Sequence, residues 1–464
     1  GKRLTVATND PVNFIVLEDI KVSTGMDTVP VLATTSAINK AIGKCYSMQN
    51  VDSVIDSVAA MGGDLGEMSQ EEADLKDRVE SAPIVKLATT IIENSYRADA
   101  TDIHIEPFEK YTRIRIRVNG DLVELMNISS AVHSALTTRL KLISGMNIAE
   151  KRIPQDGRFT QVVDGTTLDV RVSSLPMVHG EKIVIRILST GQIALRKITD
   201  LGMSEYNYQL FEHMLRVPQG VILVTGPTGS GKTTTLYAAL GEIAKPNVNV
   251  VTVEDPVEKA IDGINQCQVN QKAGMTFAAA LRSILRQDPD VVMVGEMRDS
   301  ETADIGIRAA ITGHLVLSTL HTNDAASTVI RLVDMGVAPY MVATSLIGVI
   351  AQRLVKVLCP ECKRPRMSTP EENELMGVPQ SIQIYEPGGC PSCNNTGYKG
   401  RTAIHEIIHC TTKVSSIIAS GGTKEEIEKA ARENGTKLLR DNASALVQAG
   451  QSSIDELIRT TYTV

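Results

Sequence analysis

The sequence predicts an α/β protein of several domains whose C-terminal half is built on a parallel sheet. Three observations carry this. From about Leu201 onward, apolar runs of strand length alternate with helical periodicity, the order that a parallel sheet with crossover helices demands. Between one such strand (residues 221–225) and a helical run starting near Thr234 stands Gly226-Pro227-Thr228-Gly229-Ser230-Gly231-Lys232-Thr233, a glycine-rich loop placed as phosphate binding requires. At 464 residues the chain also exceeds what one hydrophobic core serves, so about two to four domains are expected.

Taken in order, residues 1–48 carry apolar runs at 4–7, 14–17 and 29–32 and a helical pattern over 36–46, which predicts a small α/β module. Residues 49–78 shift to Gly, Met, Asp, Glu and Ser and read as an acidic linker with at most one helix. A second module is expected over 79–190, with a helix at 84–97 and strands at 102–106, 113–118, 121–126, 159–163, 168–173 and 183–188. Asn119-Gly120 marks a tight hairpin between two of them. After a short linker (191–204), the domain at 205–464 holds the alternating strands and helices, a cysteine-bearing insert at 355–402, and amphipathic helices over 411–464 that the insert separates from the sheet. No internal repeat or low-complexity tract is visible.

Composition narrows the partners. The net charge of -7 argues against a protein that coats nucleic acid, and the absence of Trp with only 5 Phe leaves little surface for stacking bases, so no nucleic-acid partner is expected. No apolar run approaches the ~20 residues that span a bilayer, and no basic stretch followed by an apolar core opens the chain. A cytoplasmic protein is therefore expected. The chain opens on Gly1-Lys2 in the middle of a pattern, so a natural protein extending further upstream is expected too. The 7 cysteines include two close pairs, which in such a compartment point to metal before disulfide.

The chemistry is concentrated at strand ends. In the phosphate loop, glycines let successive backbone N–H groups turn inward around an anion; Lys232 reaches the β- and γ-phosphates, and Thr233 ligates Mg²⁺ as the helix through Thr234 begins. The apolar run 288–296 delivers a carboxylate at the C-terminal end of a strand, where open α/β sheets bind ligands. Gly295 stands where a metal-holding Asp is usual, which makes Glu296 the first choice to orient or deprotonate the attacking water. The run 250–258 ends in Glu254 and Glu258, either ligands of the metal and its water shell or parts of an acidic turn. His314 and His321 lie at opposite ends of one strand by its ~3.3 Å rise per residue, so His321, at the C-terminal end, is the candidate for sensing the γ-phosphate, and His314 is catalytic or structural.

Arginines offer several partners for a triphosphate. The strand period of two puts Arg113, Arg115 and Arg117 on one face, either solvated or poised for bidentate contacts to phosphate oxygens. Arg282, Arg286 and Arg298 flank the Glu296 strand and compete for that role, the first two one helical turn apart and so on one face. Cys359-Pro360-Glu361-Cys362 and Cys390-Pro391-Ser392-Cys393 have the spacing of a closed four-thiolate site, strongly suggestive of structural Zn²⁺, with a redox dithiol, a disulfide pair or iron as alternatives.

These motifs together resemble a known family. Gly226 to Thr233, Val253-Glu254-Asp255-Pro256, Arg286-Gln287-Asp288-Pro289-Asp290 with Gly295-Glu296-Met297-Arg298, and Gly313-His314 with Ser318-Thr319-Leu320-His321-Thr322 resemble the Walker A, Asp box, Walker B and His box of secretion ATPases. Thr101-Asp102-Ile103-His104-Ile105-Glu106-Pro107, Pro154-Gln155-Asp156-Gly157-Arg158 and the tetracysteine insert are similar to the branch serving type II secretion and type IV pilus assembly. Residues 3–41 look like the end of that family's N-terminal domain. The resemblance implies a RecA-like P-loop ATPase domain preceded by a PAS-like α+β domain, with a zinc insert and a C-terminal helical region. It implies ATP, Mg²⁺ and Zn²⁺ as cofactors. It further implies a homo-hexameric motor, peripheral to the inner membrane through a platform protein and the pilus or secretion machinery. Arg115 and its neighbours would then reach the nucleotide from the second N-terminal module. Ser129-Ser130-Ala131 lacks an arginine often found near there in secretion members, which favours the pilus branch. Type II secretion is the alternative, and a DNA translocase or a non-hydrolysing nucleotide sensor are the readings from other classes.

Overall fold

The computed structural model describes residues 3–34, 37–38, 82–189 and 196–461. Most of the expected helix at 36–46, the whole linker at 49–78 and part of the linker at 191–204 lie outside the described residues. The chain divides into two compact units, Gly1–Gln192 and Ile193–Val464.

In the first unit, β1 (Arg3–Thr8) and β2 (Asp27–Leu32) pair in parallel around helix α1 (Phe14–Thr24). Asn13 caps that helix by accepting from the Val16 N–H, and Gly25 ends it in the left-handed conformation. Downstream, helix α2 (Ala82–Arg97) leads into β3 (Ala100–Pro107), β4 (Tyr111–Val118) and β5 (Asp121–Ser129); helix α3 (Ser130–Ile143) leads into β6 (Gln155–Val163), β7 (Thr166–Met177) and β8 (Gly180–Ser189). These six strands form one sheet in the order β5-β4-β3-β8-β7-β6, every neighbouring pair antiparallel. Period-two alternation decides its two faces: Ile103, Ile105, Ile114, Ile116, Ile183 and Ile185 are buried in one core with Leu87, Ile91, Leu136 and Leu140 of the two helices. Asn119 and Gly120 both take positive φ, 51° and 96°, the backbone of a two-residue hairpin turn.

The second unit is built on a seven-stranded sheet whose strands in spatial order are Asn265–Gln268 (β11), Val250–Glu254 (β10), Val291–Val294 (β12), Leu315–Leu320 (β13), Gly220–Thr225 (β9), Leu346–Leu358 (β14) and Tyr398–His409 (β17). After helix α4 (Glu205–Leu215) come β9 (Gly220–Thr225), helix α5 (Lys232–Ile243), β10 (Val250–Glu254), β11 (Asn265–Gln268), helix α6 (Phe277–Ile284), β12 (Val291–Val294), helix α7 (Ser300–Ile311) and β13 (Leu315–Leu320). Helices α8 (Ala325–Asp334) and α9 (Pro339–Ser345) precede the long β14 (Leu346–Leu358). Strands β9, β10, β12 and β13 are buried along their whole length, as parallel strands covered on both faces must be. Val221 and Leu223 face one core and Ile222 and Val224 the other.

The insert does not separate sheet from tail. Strands β15 (Arg364–Met367) and β16 (Gln383–Glu386) pair around helix α10 (Pro370–Met376), and the chain then returns to the sheet as β17 (Tyr398–His409), antiparallel to β14. Polar residues inside these buried strands, Gln352, His405 and Glu406, interrupt the apolar run by which a buried strand is recognised. Four helices, α11 (Thr412–Ala419), α12 (Lys424–Glu433), α13 (Leu439–Gln448) and α14 (Ile454–Thr461), close the unit, as the amphipathic pattern after Cys410 predicts. Among the described residues, no helix is long and apolar enough to cross a membrane.

Candidate active site

The phosphate loop joins β9 to α5, which begins at Lys232, two residues earlier than the helical periodicity suggests. Two of its glycines are required by close approach. A Cβ on Gly226 would meet the Gln352 carbonyl oxygen at 2.4 Å, and one on Gly231 the Gln352 Nε2 at 2.8 Å. Their φ values, 148° and 91°, disfavour other residues as well. Lys232 folds its ammonium onto the loop, donating to the Gly226 and Pro227 carbonyls at 2.8 and 3.2 Å. Burial draws it below its ordinary pKa, with Glu296 acting the other way. Thr233 and Thr234 are exposed at the start of the helix, and so are Thr228 and Gly229.

The ends of β12 and β13 bring the next groups to Lys232. His321 Nδ1 stands 3.5 Å from Lys232 Nζ, and its Nε2 stands 3.3 Å from a Glu296 carboxylate oxygen. Glu296 is 15% exposed and also ion-paired with Arg298. Lys232, His321, Glu296 and Arg298 thus form one polar chain beside the loop: a cation for phosphate, a carboxylate for water and an imidazole between them. His314 is at the other end of β13, where its ring Nδ1 meets the Ala309 carbonyl at 2.9 Å and its own carbonyl accepts from Gly220 N–H at 3.0 Å.

Other candidates are placed differently. Glu254 is buried at the end of β10 and accepts from Tyr237 Oη at 2.5 Å, Thr252 Oγ1 at 2.6 Å and Gln266 Nε2 at 3.0 Å. That makes it a joint between α5, β10 and β11, and burial together with this carboxylate raises the Tyr237 pKa. Glu258 is exposed, its N–H donating to Tyr237 Oη at 3.2 Å. Arg282 pairs with Glu301. Helix α6 ends at Ile284, so Arg286 lies beyond it and does not share a helical face with Arg282 as the spacing suggests; its guanidinium donates to the Arg282 carbonyl at 2.8 Å and Ser283 Oγ at 3.1 Å.

In the first unit, the arginine face of β4 has resident carboxylates. Glu106 on β3 accepts from Arg113 Nε at 3.2 Å, from Arg115 at 3.0 and 2.8 Å and from Lys182 at 3.0 Å. Burial works to raise the Glu106 pKa, but the hydrogen bonds from Arg115 and Lys182 outweigh it and hold the carboxyl at about 2. Arg117 donates to the Gly120 carbonyl at 2.6 Å.

The four cysteine sulfurs lie within 4.8 Å of one another. Backbone N–H groups of Cys390 and Gly397 each donate to Cys393 Sγ at 3.2 Å, and these bonds outweigh desolvation to bring that thiol down to about 6. Four converging sulfurs with one already biased toward thiolate fit a tetrahedral ion, held by Cys359, Cys362, Cys390 and Cys393 with no position left open for catalysis.

Several partners of the site escape sequence reasoning because they come from strands and helices distant in sequence. Thr225 Oγ1 lies 2.6 Å from Thr322 Oγ1, which lies 2.6 Å from Thr328 Oγ1, a hydroxyl chain from the loop strand to helix α8. Glu406, buried on β17, accepts from the Ala325 and Leu439 N–H groups at 2.9 and 3.1 Å and so caps helices α8 and α13 together. Gln352 on β14 touches both ends of the phosphate loop.

A sheet parallel in all but its last strand, with a phosphate loop, a Walker B carboxylate and a histidine at the strand ends, defines a P-loop nucleoside triphosphatase. The family described as type II/IV secretion system protein matches residues 77–459, and an MshEN domain matches residues 1–51. The chain belongs to that type II/IV secretion system family. It is 46% identical to the type II secretion system protein E of Aeromonas hydrophila over 86% of this chain and 79% of that protein. It is 41% identical to the type IV pilus assembly ATPase PilB of Myxococcus xanthus over 99% of this chain and 83% of that protein. Among solved structures, the Legionella pneumophila ATPase DotB shares its fold with a TM-score of 0.59 at 23% identity, over 80% of this chain and 93% of that one. The chain is accordingly an ATP hydrolase of the secretion ATPase family.

Proposed function

We propose that this ATPase is the motor of type IV pilus assembly, a homo-hexamer that couples ATP hydrolysis to adding pilin subunits through an inner-membrane platform protein. The convergence of Lys232, His321 and Glu296 beside the loop is the observation that supports a hydrolysing motor over a nucleotide sensor. In this reading the loop and Lys232 hold the ATP phosphates, Thr233 holds Mg²⁺, Glu296 positions the water with Arg298 steadying it, and His321 reports the γ-phosphate. Arg113, Arg115 and Arg117 reach the nucleotide once it draws the first two from Glu106 and the third from the Gly120 carbonyl. The four cysteines hold Zn²⁺. The protein works in the cytoplasm, peripheral to the inner membrane through its partners and without nucleic acid.

The domain limits proposed for it are 1–48, 79–190 and 205–464, and the antiparallel sheet with two helices supports a PAS-like reading of the middle one. The match to the Myxococcus xanthus PilB over 99% of the chain supports the pilus branch. The higher identity, 46%, to the Aeromonas hydrophila protein favours the second reading, type II secretion. Deleting the gene separates them: loss of surface pili with normal exoprotein secretion supports the first, and the reverse result sinks it. Glu296→Gln is expected to keep ATP binding while turnover falls by about 10²–10⁴. Unchanged turnover would remove Glu296 from the chemistry.

A further inference from the structure

Gln352 is an amide buried in a hydrophobic strand, 2% exposed, and its side-chain hydrogen bonds go to the phosphate loop and the helix that follows it. Strand β14 lies beside β9, with Ala351 opposite Thr225, so the next residue arrives where β9 opens into the phosphate loop. There the Gln352 main-chain oxygen occupies the space that a side chain on Gly226 would need, and its Nε2 occupies that space at Gly231. The side chain is fixed at both ends: Nε2 donates to the Ser230 carbonyl at 2.9 Å, and Oε1 accepts from Thr235 Oγ1 in the first turn of α5 at 2.6 Å. A glutamine with both ends engaged has one orientation, and its donor end is the one committed to the loop.

The consequence follows from peptide geometry. The Ser230–Gly231 peptide is trans, so its carbonyl and the Gly231 N–H point to opposite sides of one rigid plane. We infer that Gln352 is a positioning residue for nucleotide binding: by holding the Ser230 carbonyl outward it presents the Gly231 N–H to the phosphate. Without that hold, the peptide is free to rotate and to offer its oxygen to an anion, which repels it. The pull acts on the bound phosphate in ground and transition states alike, so it affects affinity and leaves the chemical step alone.

The inference rests on reading Gly226 to Thr233 as the nucleotide site, and the test separates the two. Full-length Gln352→Glu retains an acceptor for Thr235 and loses the donor to Ser230. With a fluorescent ADP analogue and with MgATP turnover, Kd and KM are expected to rise about tenfold, kcat to stay within about twofold, and the melting temperature to hold. The KM deficit should shrink toward pH 6, where the introduced carboxyl regains a proton and a donor. Gln352→Met, which keeps the volume and removes both ends, carries the same expectation for KM if the carboxylate variant does not fold. Thr235→Val, which only frees the amide to turn, should raise KM less than either. Unchanged KM in a folded Gln352 variant, alongside loss of nucleotide in Lys232→Ala, overturns the inference, as does a fall in kcat at constant KM. Nucleotide bound normally by Lys232→Ala overturns the reading of the loop and the inference with it.

Discussion

Glu406→Gln is expected to change how the stability of the ATPase unit depends on pH. Glu406 is 3% exposed on β17, and burial pushes its pKa from an ordinary 4.5 up to about 7, although the Ala325 and Leu439 N–H groups favour the ionised form. A carboxyl whose pKa is raised in the folded state binds protons there that the unfolded chain has already lost. Its contribution is therefore full below pH 4.5 and is lost as pH rises to 7. At about 1.4 kcal/mol for each tenfold change in proton affinity, the whole loss is about 3 kcal/mol, most of it between pH 5 and pH 8. The amide removes this slope, but its NH2 group must face one of the two backbone N–H donors, which costs about 1–3 kcal/mol relative to the protonated carboxyl. The assay is guanidinium unfolding of both proteins at pH 5 and pH 8, followed by circular dichroism. The variant should be the weaker protein at pH 5 and gain about 2–3 kcal/mol on the wild type by pH 8. A stability difference that stays within about 0.5 kcal/mol across this range, or moves the other way, refutes the reasoning.

Three further outcomes are expected. Cys390→Ser should take the zinc content, read by elemental analysis, from about one per chain to near zero and lower the melting temperature by about 10 °C; a metal-free wild type of equal melting temperature would exclude a structural ion. His321→Ala should lower kcat by about 10²–10³, whereas His314→Ala should leave it within about twofold, and steady-state kinetics on the pair would contradict this placement if the order were reversed. Glu254→Gln should cost about 1–3 kcal/mol in denaturant unfolding, because Tyr237, Thr252 and Gln266 all donate to that carboxylate. Full stability with abolished turnover would move Glu254 into the chemistry instead.

What was legible in the sequence followed from pattern strength. The strands before the phosphate loop and Glu296 carry unbroken apolar runs at 221–224 and 291–294, the one before His321 opens on Leu315-Val316-Leu317, and Arg113-Ile114-Arg115-Ile116-Arg117 alternates so strictly that both its faces could be assigned. Strands β14 and β17 were not legible because their polar residues serve partners far along the chain: Gln352 serves Ser230, and Glu406 serves Ala325. Spacing likewise placed Arg282 and Arg286 on one face, but the helix stops before Arg286 and each side chain takes a nearby partner. The carboxylates were the hardest to sort. Glu254 and Glu296 both end buried strands, and only their neighbours, a tyrosine hydroxyl for one and a histidine with an arginine for the other, tell them apart.

Because β14 and β17 are antiparallel neighbours with Leu358 opposite Tyr398, the whole cysteine-bearing segment stands where a hairpin turn would. Sheet order does not depend on it, since a turn of about two to five residues joins such a pair equally well. Its loss would instead be felt on the far side, where the Glu374, Leu375 and Met376 carbonyls accept from Arg440 and Ser444, and Lys363 donates to the Gly450 carbonyl. A chain of this fold can therefore discard the four-cysteine insert in one deletion and keep its sheet, provided helix α13 acquires a more polar outer surface.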